Sequence, residues 1–252
     1  MSNLDPKVIV GLITLFTSTV LFTQTPANAE NKRVTVIAAS SLSRYMSELG
    51  DNFERENPGT KITFSFLSSS TAARQIQEGI SADIFISAST FDMYKVRNKV
   101  IRPLNYVRNQ IVLGVDRKSK AHIGKFSDLN ARGVRWIACV VAAPCGDITS
   151  KSLKALGTVT SKPASYEANV SSVVAKLLIH EADAGFIYYT DMKDNSTNLR
   201  GIRFKSAIPT STVYQIALLK RSTGNSSATA FYDYLMTPET LKFLLGHGFN
   251  RP

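Results

Sequence analysis

The sequence predicts an α/β protein in which mainly parallel sheets are flanked by helices. Three observations carry this. Strand-like and helix-like patterns alternate from Arg33 to Lys99, the signature of strand–crossover–strand units. Hydrophobic residues make up 44% and charged residues 19% of the chain, a balance that supports a core and excludes a disordered tail protein. The 252 residues suffice for one large domain or two medium ones.

Arg33 to Ala39 (RVTVIAA) reads as a buried strand, β-branched residues followed by small ones. Leu42, Met46, Leu49 and Phe53 then recur at helical spacing, and the helix ends before Pro58-Gly59. KITFSF (61–66) alternates as a second strand, and SSSTAARQIQEG (68–79) as a helix opened by serines. Ile84 to Ser87 is a short apolar strand, and Thr90 to Lys99 a helix. Further strands are expected at 110–115 (QIVLGV), 136–141, 184–189 (AGFIYY), 202–204 and 214–219 (YQIALL). The AAPCGD loop leads into a helix at 148–156, and helices follow at 170–180, 228–236 and 238–245. The sequence holds no repeat and no low-complexity linker, so two lobes would have to be joined by crossing strands. QIVLGV and YQIALL are the expected crossers.

The N-terminus reads as an address. Lys7 precedes an apolar run, Val8 to Phe22, closed by TQTPANA with small residues at Ala27 and Ala29. This fits a secretory signal (residues 1–29) cut after Ala29. The run is roughly 15 residues against the roughly 20 that span a bilayer; an uncleaved anchor is the alternative. A bacterial lipid anchor is not expected, since no cysteine lies near the cut. A multi-span membrane protein is excluded by the single long apolar run.

Thirty Lys and Arg against nineteen Asp and Glu give a net charge of +11. The balance favours anionic partners in general. The cations are scattered, without a dense basic run or aromatic–basic alternation, so a nucleic-acid partner is not expected. Two cysteines are too few for a disulfide scaffold or a four-cysteine zinc site, and His122, His180 and His247 lie far apart. No metal site is expected. Export would put Cys139 and Cys145 in an oxidising compartment, where they are expected to close a small ring; two reduced cysteines, one in a strand, are the alternative.

Several strand-to-helix junctions carry hydroxyls or exposed backbone donors: Ser40-Ser41, Ser68-Ser69-Ser70, Pro144-Cys145-Gly146, and Asn169-Val170. The first N–H groups of a helix lack intrahelical partners and sit at the positive end of its dipole. Several converging on one cleft make an anion site without a charged side chain. Tyr188, at a strand end, can add a phenolic donor. Each serine alone is equally a plain helix cap; the whole constellation carries the signal.

In that order, VIAASSLSRYM (36–46), FSFLSSSTAARQIQEGISADIFISAS (64–89), APCG (143–146), NVSSVVAKLLIHEADAGFIYYTDM (169–192), YQIALLK (214–220) and FYDYLMTPETLKFLLGHGF (231–249) resemble the periplasmic molybdate-binding proteins of ABC transporters, a branch of the two-lobed solute-binding family. The resemblance implies a type II periplasmic-binding-protein-like fold with two crossover strands. Lobe 1 would comprise residues 30–112 plus 215–252, and lobe 2 residues 113–214. It implies a non-enzymatic monomer that takes molybdate or tungstate as its ligand, with no cofactor, and delivers it to a membrane permease. Carried over position by position, Ser41 and Ser69 would bind through hydroxyls, Cys145 and Val170 through backbone N–H groups, and Tyr188 through its phenol. The chain departs from the family pattern at Cys139-Val140, often Asp-Pro, and at Ala143, often valine. A donor-only site suits a fully deprotonated oxyanion, because a protonated one brings a hydrogen with no acceptor. Replacing Ser69 with Ala is expected to weaken binding and leave the fold stable.

Other classes remain open at this level: a binding protein for sulfate or another tetrahedral oxyanion, a sensory module without transport, and a secreted serine hydrolase. The last would need a base such as His122 or His247, and no G-x-S-x-G elbow occurs.

Overall fold

A computed structural model describes residues 32–205, 207 and 209–252. The proposed signal segment and its cleavage point lie outside the described residues.

The alternating apolar runs fold as read. β1 (Arg33–Ala39) pairs in parallel with β2 (Lys61–Leu67) and with β3 (Ile84–Ser87). The pleat sends successive side chains to opposite faces. Val36 and Ala38 therefore enter one core cluster with Leu42 of the following turn and Met46, Leu49 and Phe53 of the next helix, and Ile37 enters another on the far face. That helix, α1 (Ser43–Glu56), follows a 3-10 turn over Ser40–Leu42. Helix α2 (Ser69–Gln77) is capped by Ser68, whose side chain accepts from Thr71 N–H at 3.3 Å. Helix α3 (Thr90–Lys95) is shorter than expected, since the chain turns at Val96 and enters a 17-residue strand, β4 (Val100–Asp116).

β4 holds the architecture together. Its first part pairs with β9 (Ser211–Leu219) through two register shifts, and from Ile111 it pairs with β7 (Ala184–Tyr188) and β8 (Leu199–Ile202). The sheet order is β2-β1-β3-β9-β4-β7-β5-β6, with β8 beside β4. β4 passes from the first half to the second at Gln110–Ile111, so QIVLGV begins at the crossing and otherwise lies in the second half. YQIALL does not cross, because β9 pairs only with β3 and β4 in the first half of the sheet. The partner of β4 in crossing is the stretch just before β9, where Thr210 accepts from Ile111 N–H. Parallel pairs occupy both ends of the sheet and antiparallel pairs its middle.

The second half repeats the parallel arrangement. β5 (Trp136–Cys139) lies between β7 and β6 (Ser165–Glu167), parallel to both. Helices α4 (Pro144–Leu156) and α5 (Val170–Leu178) follow β5 and β6, and the short α6 (Tyr189–Asp194) follows β7. A separate core cluster, from Ile111 to Leu199, fills this half. Helices α7 (Ser226–Leu235) and α8 (Pro238–Gly246) return to the first cluster. α4 starts four residues earlier than expected because Pro144 occupies its first turn, where the missing N–H is harmless and the fixed φ suits a helix. β5 stops at Cys139, and the exposed Val140 and Val141 form the turn.

Candidate functional site

The parallel strands end where their helices begin, and ligands in such sheets sit beyond those carboxyl ends. Here β1, β2, β5 and β6 point the starts of the 3-10 turn, α2, α4 and α5 at one small cavity. Its walls are Ala39, Ser40, Ser41, Leu67, Ser68, Ser69, Ala88, Pro144, Cys145, Asn169, Val170 and Tyr188. The volume is about 10 Å³, room for the centre of roughly one water-sized sphere. All five residues singled out from the sequence, Ser41, Ser69, Cys145, Val170 and Tyr188, line this cavity, and all are buried. The two halves touch beside it: Ser171 Oγ, in the first turn of α5, donates to the Ser40 carbonyl at 3.2 Å.

The walls carry no charged side chain. What they offer is donors. The backbone N–H groups of Cys145 and Val170 lie in first helical turns, without intrahelical acceptors. α4 has no side-chain cap, while the Asn169 side chain caps α5 by accepting from Ser172 N–H at 3.0 Å. Ser69 Oγ accepts from Ala88 N–H at 2.8 Å, so its own O–H is free to donate into the cavity. Ser41 Oγ shares a hydrogen bond with Tyr214 Oη at 2.7 Å.

Tyr188 is the sharpest feature. Its hydroxyl is one of three buried side-chain oxygens without a hydrogen-bond partner among the described residues, with those of Tyr106 and Thr149. Of the three, only Tyr188 lines the cavity. An unmade buried hydrogen bond costs about 1–3 kcal/mol, so a hydroxyl left this way calls for a guest. Burial holds the phenol well above its ordinary pKa, and the neighbouring Tyr214 and Asp191 raise it further; the group stays a donor. Tyr188 N–H donates to Asp191 Oδ2 at 3.0 Å. Burial pushes that carboxyl up to about 7 against this bond, with Asp194 adding to the rise.

The loop at 139–146 is rigidly built. Cys139 and Cys145 form a disulfide, with Cα atoms 5.8 Å apart, which ties the end of β5 to the first turn of α4. A Cβ on Gly146 would stand 2.0 Å from the Val140 carbonyl oxygen, an overlap that only glycine avoids. The cysteine pair thus ties the end of β5 to the turn that carries the Cys145 N–H.

Sequence reasoning missed two buried residues behind the wall, Tyr214 and Asn109. Neither belongs to a serine-rich turn, and the two strands that carry them are brought together only by the pairing of β4 with β9.

A cavity walled by the helix starts of both halves of the fold, offering donors and no charge, belongs to a binder of small solutes. The chain belongs to the bacterial extracellular solute-binding protein family, whose model matches residues 34–250. The molybdate-binding protein ModA of Mycobacterium tuberculosis is 31% identical over 224 residues, covering 88% of this chain and 85% of its own. ModA of Escherichia coli is 30% identical over 244 residues, covering 88% and 91%. Among solved structures, the periplasmic molybdate-binding protein of Azotobacter vinelandii superposes with a TM-score of 0.77 at 18% identity, over 87% of this chain and 99% of that one. That last likeness speaks to the fold. No helix among the described residues is long and apolar enough to cross a membrane.

Proposed function

We propose that this protein captures molybdate, and tungstate in the same way, in the cavity between its two halves and delivers it outside the cytoplasm to an ABC permease. The observation that carries this is the unpartnered Tyr188 hydroxyl facing a cavity of helix starts and serines without a charged side chain. Ser41, Ser69 and Tyr188 bind the oxyanion through hydroxyls, and Cys145 and Val170 through backbone N–H groups. The relatives named for molybdate, at 30% identity and above over most of the chain, support molybdate over sulfate as the tetrahedral ion.

Neutral donors suit a carrier. They hold a dianion without a fixed cation that would oppose its release, and binding needs no catalytic group. Residues 30–112 plus 215–252 act as one lobe and 113–214 as the other, moving about β4 and the stretch before β9 to admit the ion. The protein works as a monomer, exported to the periplasm with its first 29 residues removed after Ala29.

Thermal unfolding of residues 30–252 with molybdate, tungstate, sulfate and phosphate in parallel tests this. A ligand at about 100 times its dissociation constant stabilises by roughly 2.7 kcal/mol, several degrees at this size. A shift with molybdate and tungstate alone is expected. A shift with sulfate alone would move the assignment to another oxyanion, and no shift with any of the four would overturn it.

A further inference from the structure

Behind the cavity wall lies a chain of hydrogen bonds whose direction is set by the backbone. Asn109 on β4 and Tyr214 on β9 are both fully buried, and neither lines the cavity. Asn109 Oδ1 accepts from Gln110 N–H at 2.9 Å. A backbone N–H can only donate, so this contact fixes which end of the amide is oxygen. The Asn109 nitrogen must then face the other way, where Nδ2 donates to Thr190 Oγ1 at 2.8 Å. Its second hydrogen is left over for the neighbouring Tyr214 phenol, which Asn109 and Tyr188 both influence. Tyr214 Oη, accepting there, has its own hydrogen left for Ser41 Oγ, 2.7 Å away. Ser41 Oγ, accepting from Tyr214, has its O–H left for the cavity.

Resting on the oxyanion reading above, we propose that Tyr214, oriented by Asn109, is a positioning residue that fixes the Ser41 hydroxyl as a donor to the bound ion and so sets discrimination against protonated oxyanions. Without the chain, a serine hydroxyl can turn and present a lone pair. A lone pair repels a fully deprotonated ion and accepts from a protonated one. Ser69 reaches the same state by a shorter route, since Ala88 N–H fills its acceptor position. Among the described residues Ser41 has no backbone donor in that role, and Tyr214 takes its place. The ring of Tyr214 packs edge-on against Tyr188 and Phe249, with centroids 6.1 and 5.8 Å away, so Tyr214→Phe removes the hydroxyl and keeps the packing.

The test is a double-mutant cycle on the full mature chain: wild type, Tyr214→Phe, Ser41→Ala and the double variant, each titrated with sodium molybdate and with sodium phosphate at pH 7.5. Tyr214→Phe is expected to weaken molybdate binding tenfold or more without weakening phosphate binding, narrowing the ratio between the two ions. In the Ser41→Ala background the same change is expected to leave that ratio where Ser41→Ala put it, because Tyr214 acts through Ser41. A purely structural role would lower both affinities together and add to Ser41→Ala; either result overturns the proposal. If Tyr214→Phe fails to fold, Asn109→Asp makes the same test. A carboxylate there accepts from Tyr214 and reverses the chain, so a retained ratio would overturn the proposal equally. Wild-type protein that binds no molybdate would instead overturn the oxyanion reading itself, and the proposal with it.

Discussion

Replacing Tyr188 with Phe should push stability and affinity in opposite directions. The phenol oxygen is buried and unpartnered in the unliganded structure, at a cost of about 1–3 kcal/mol. Phe keeps the ring and its edge-on contact with Tyr214 and removes the orphan. The free variant should therefore unfold at or above the wild-type midpoint, by about 2–4 °C for each kcal/mol recovered. With ligand the sign reverses. A hydrogen bond to a charged group is worth about 1.5–3 kcal/mol, so the molybdate dissociation constant should rise roughly ten- to 150-fold. Calorimetric titration measures the second quantity and thermal unfolding without ligand the first. A variant that is less stable when free yet binds molybdate as wild type does would refute the reasoning, because the hydroxyl would then belong to the core rather than to the site.

Three further outcomes follow from the same geometry. Ser69→Ala should weaken binding but, against the stable fold expected from the sequence, also lower the free protein's midpoint by several degrees, because Ala88 N–H loses its buried acceptor at about 1–3 kcal/mol; unchanged stability would mean that water replaces the hydroxyl. Replacing both Cys139 and Cys145 with Ser should lower stability by about 2 kcal/mol in denaturant unfolding, the value for so short a ring. It should leave molybdate affinity within a few-fold, since the Cys145 donor is backbone. Asp191→Asn should stabilise the protein at pH 8, with the gain shrinking as pH falls. The ordinary carboxyl ionises at 3.8 and this one at about 7, so between those values the unfolded chain has lost a proton that the folded chain retains, and stability falls as pH rises. Midpoints of the two proteins measured from pH 3 to 9 check this, and a gap that stays constant would refute it.

The parts of the fold legible in the sequence are those where one local pattern decides the structure. The stripe Leu42, Met46, Leu49, Phe53 is buried at every position, and β1 and β3 have the bounds read from their apolar runs. The first ten residues of β4 went unread because Pro103 and the positive φ of Arg102 sit among register shifts, which break the alternation that marks a strand. Ala-Pro-Cys-Gly has turn composition and reads as a loop, although Pro144 in fact opens α4. The expected helix end at His180 overran for a related reason: α5 stops at Leu178, and His180 takes a left-handed conformation.

The five candidate residues became legible through their order along the chain, and the fold gathers them on one cavity. The residues behind them were not legible. Tyr214 stands beside Ser41 only because β9 enters the first half of the sheet between β3 and β4, a long-range pairing with no local signature. The net charge of +11 misdirects if taken as the anion site, for no Lys or Arg lines the cavity. The affinity proposed here arises from oriented dipoles and hydroxyls.

On the proposed function, one tetrahedral oxyanion occupies this cavity. Isothermal titration of the mature chain with sodium molybdate, repeated on Ser41→Ala and Tyr188→Phe, tests it most directly. Saturation at one ion per chain is expected in the wild type, with affinity lowered tenfold or more in each variant. Absence of saturable binding, or binding that both variants leave untouched, would contradict it.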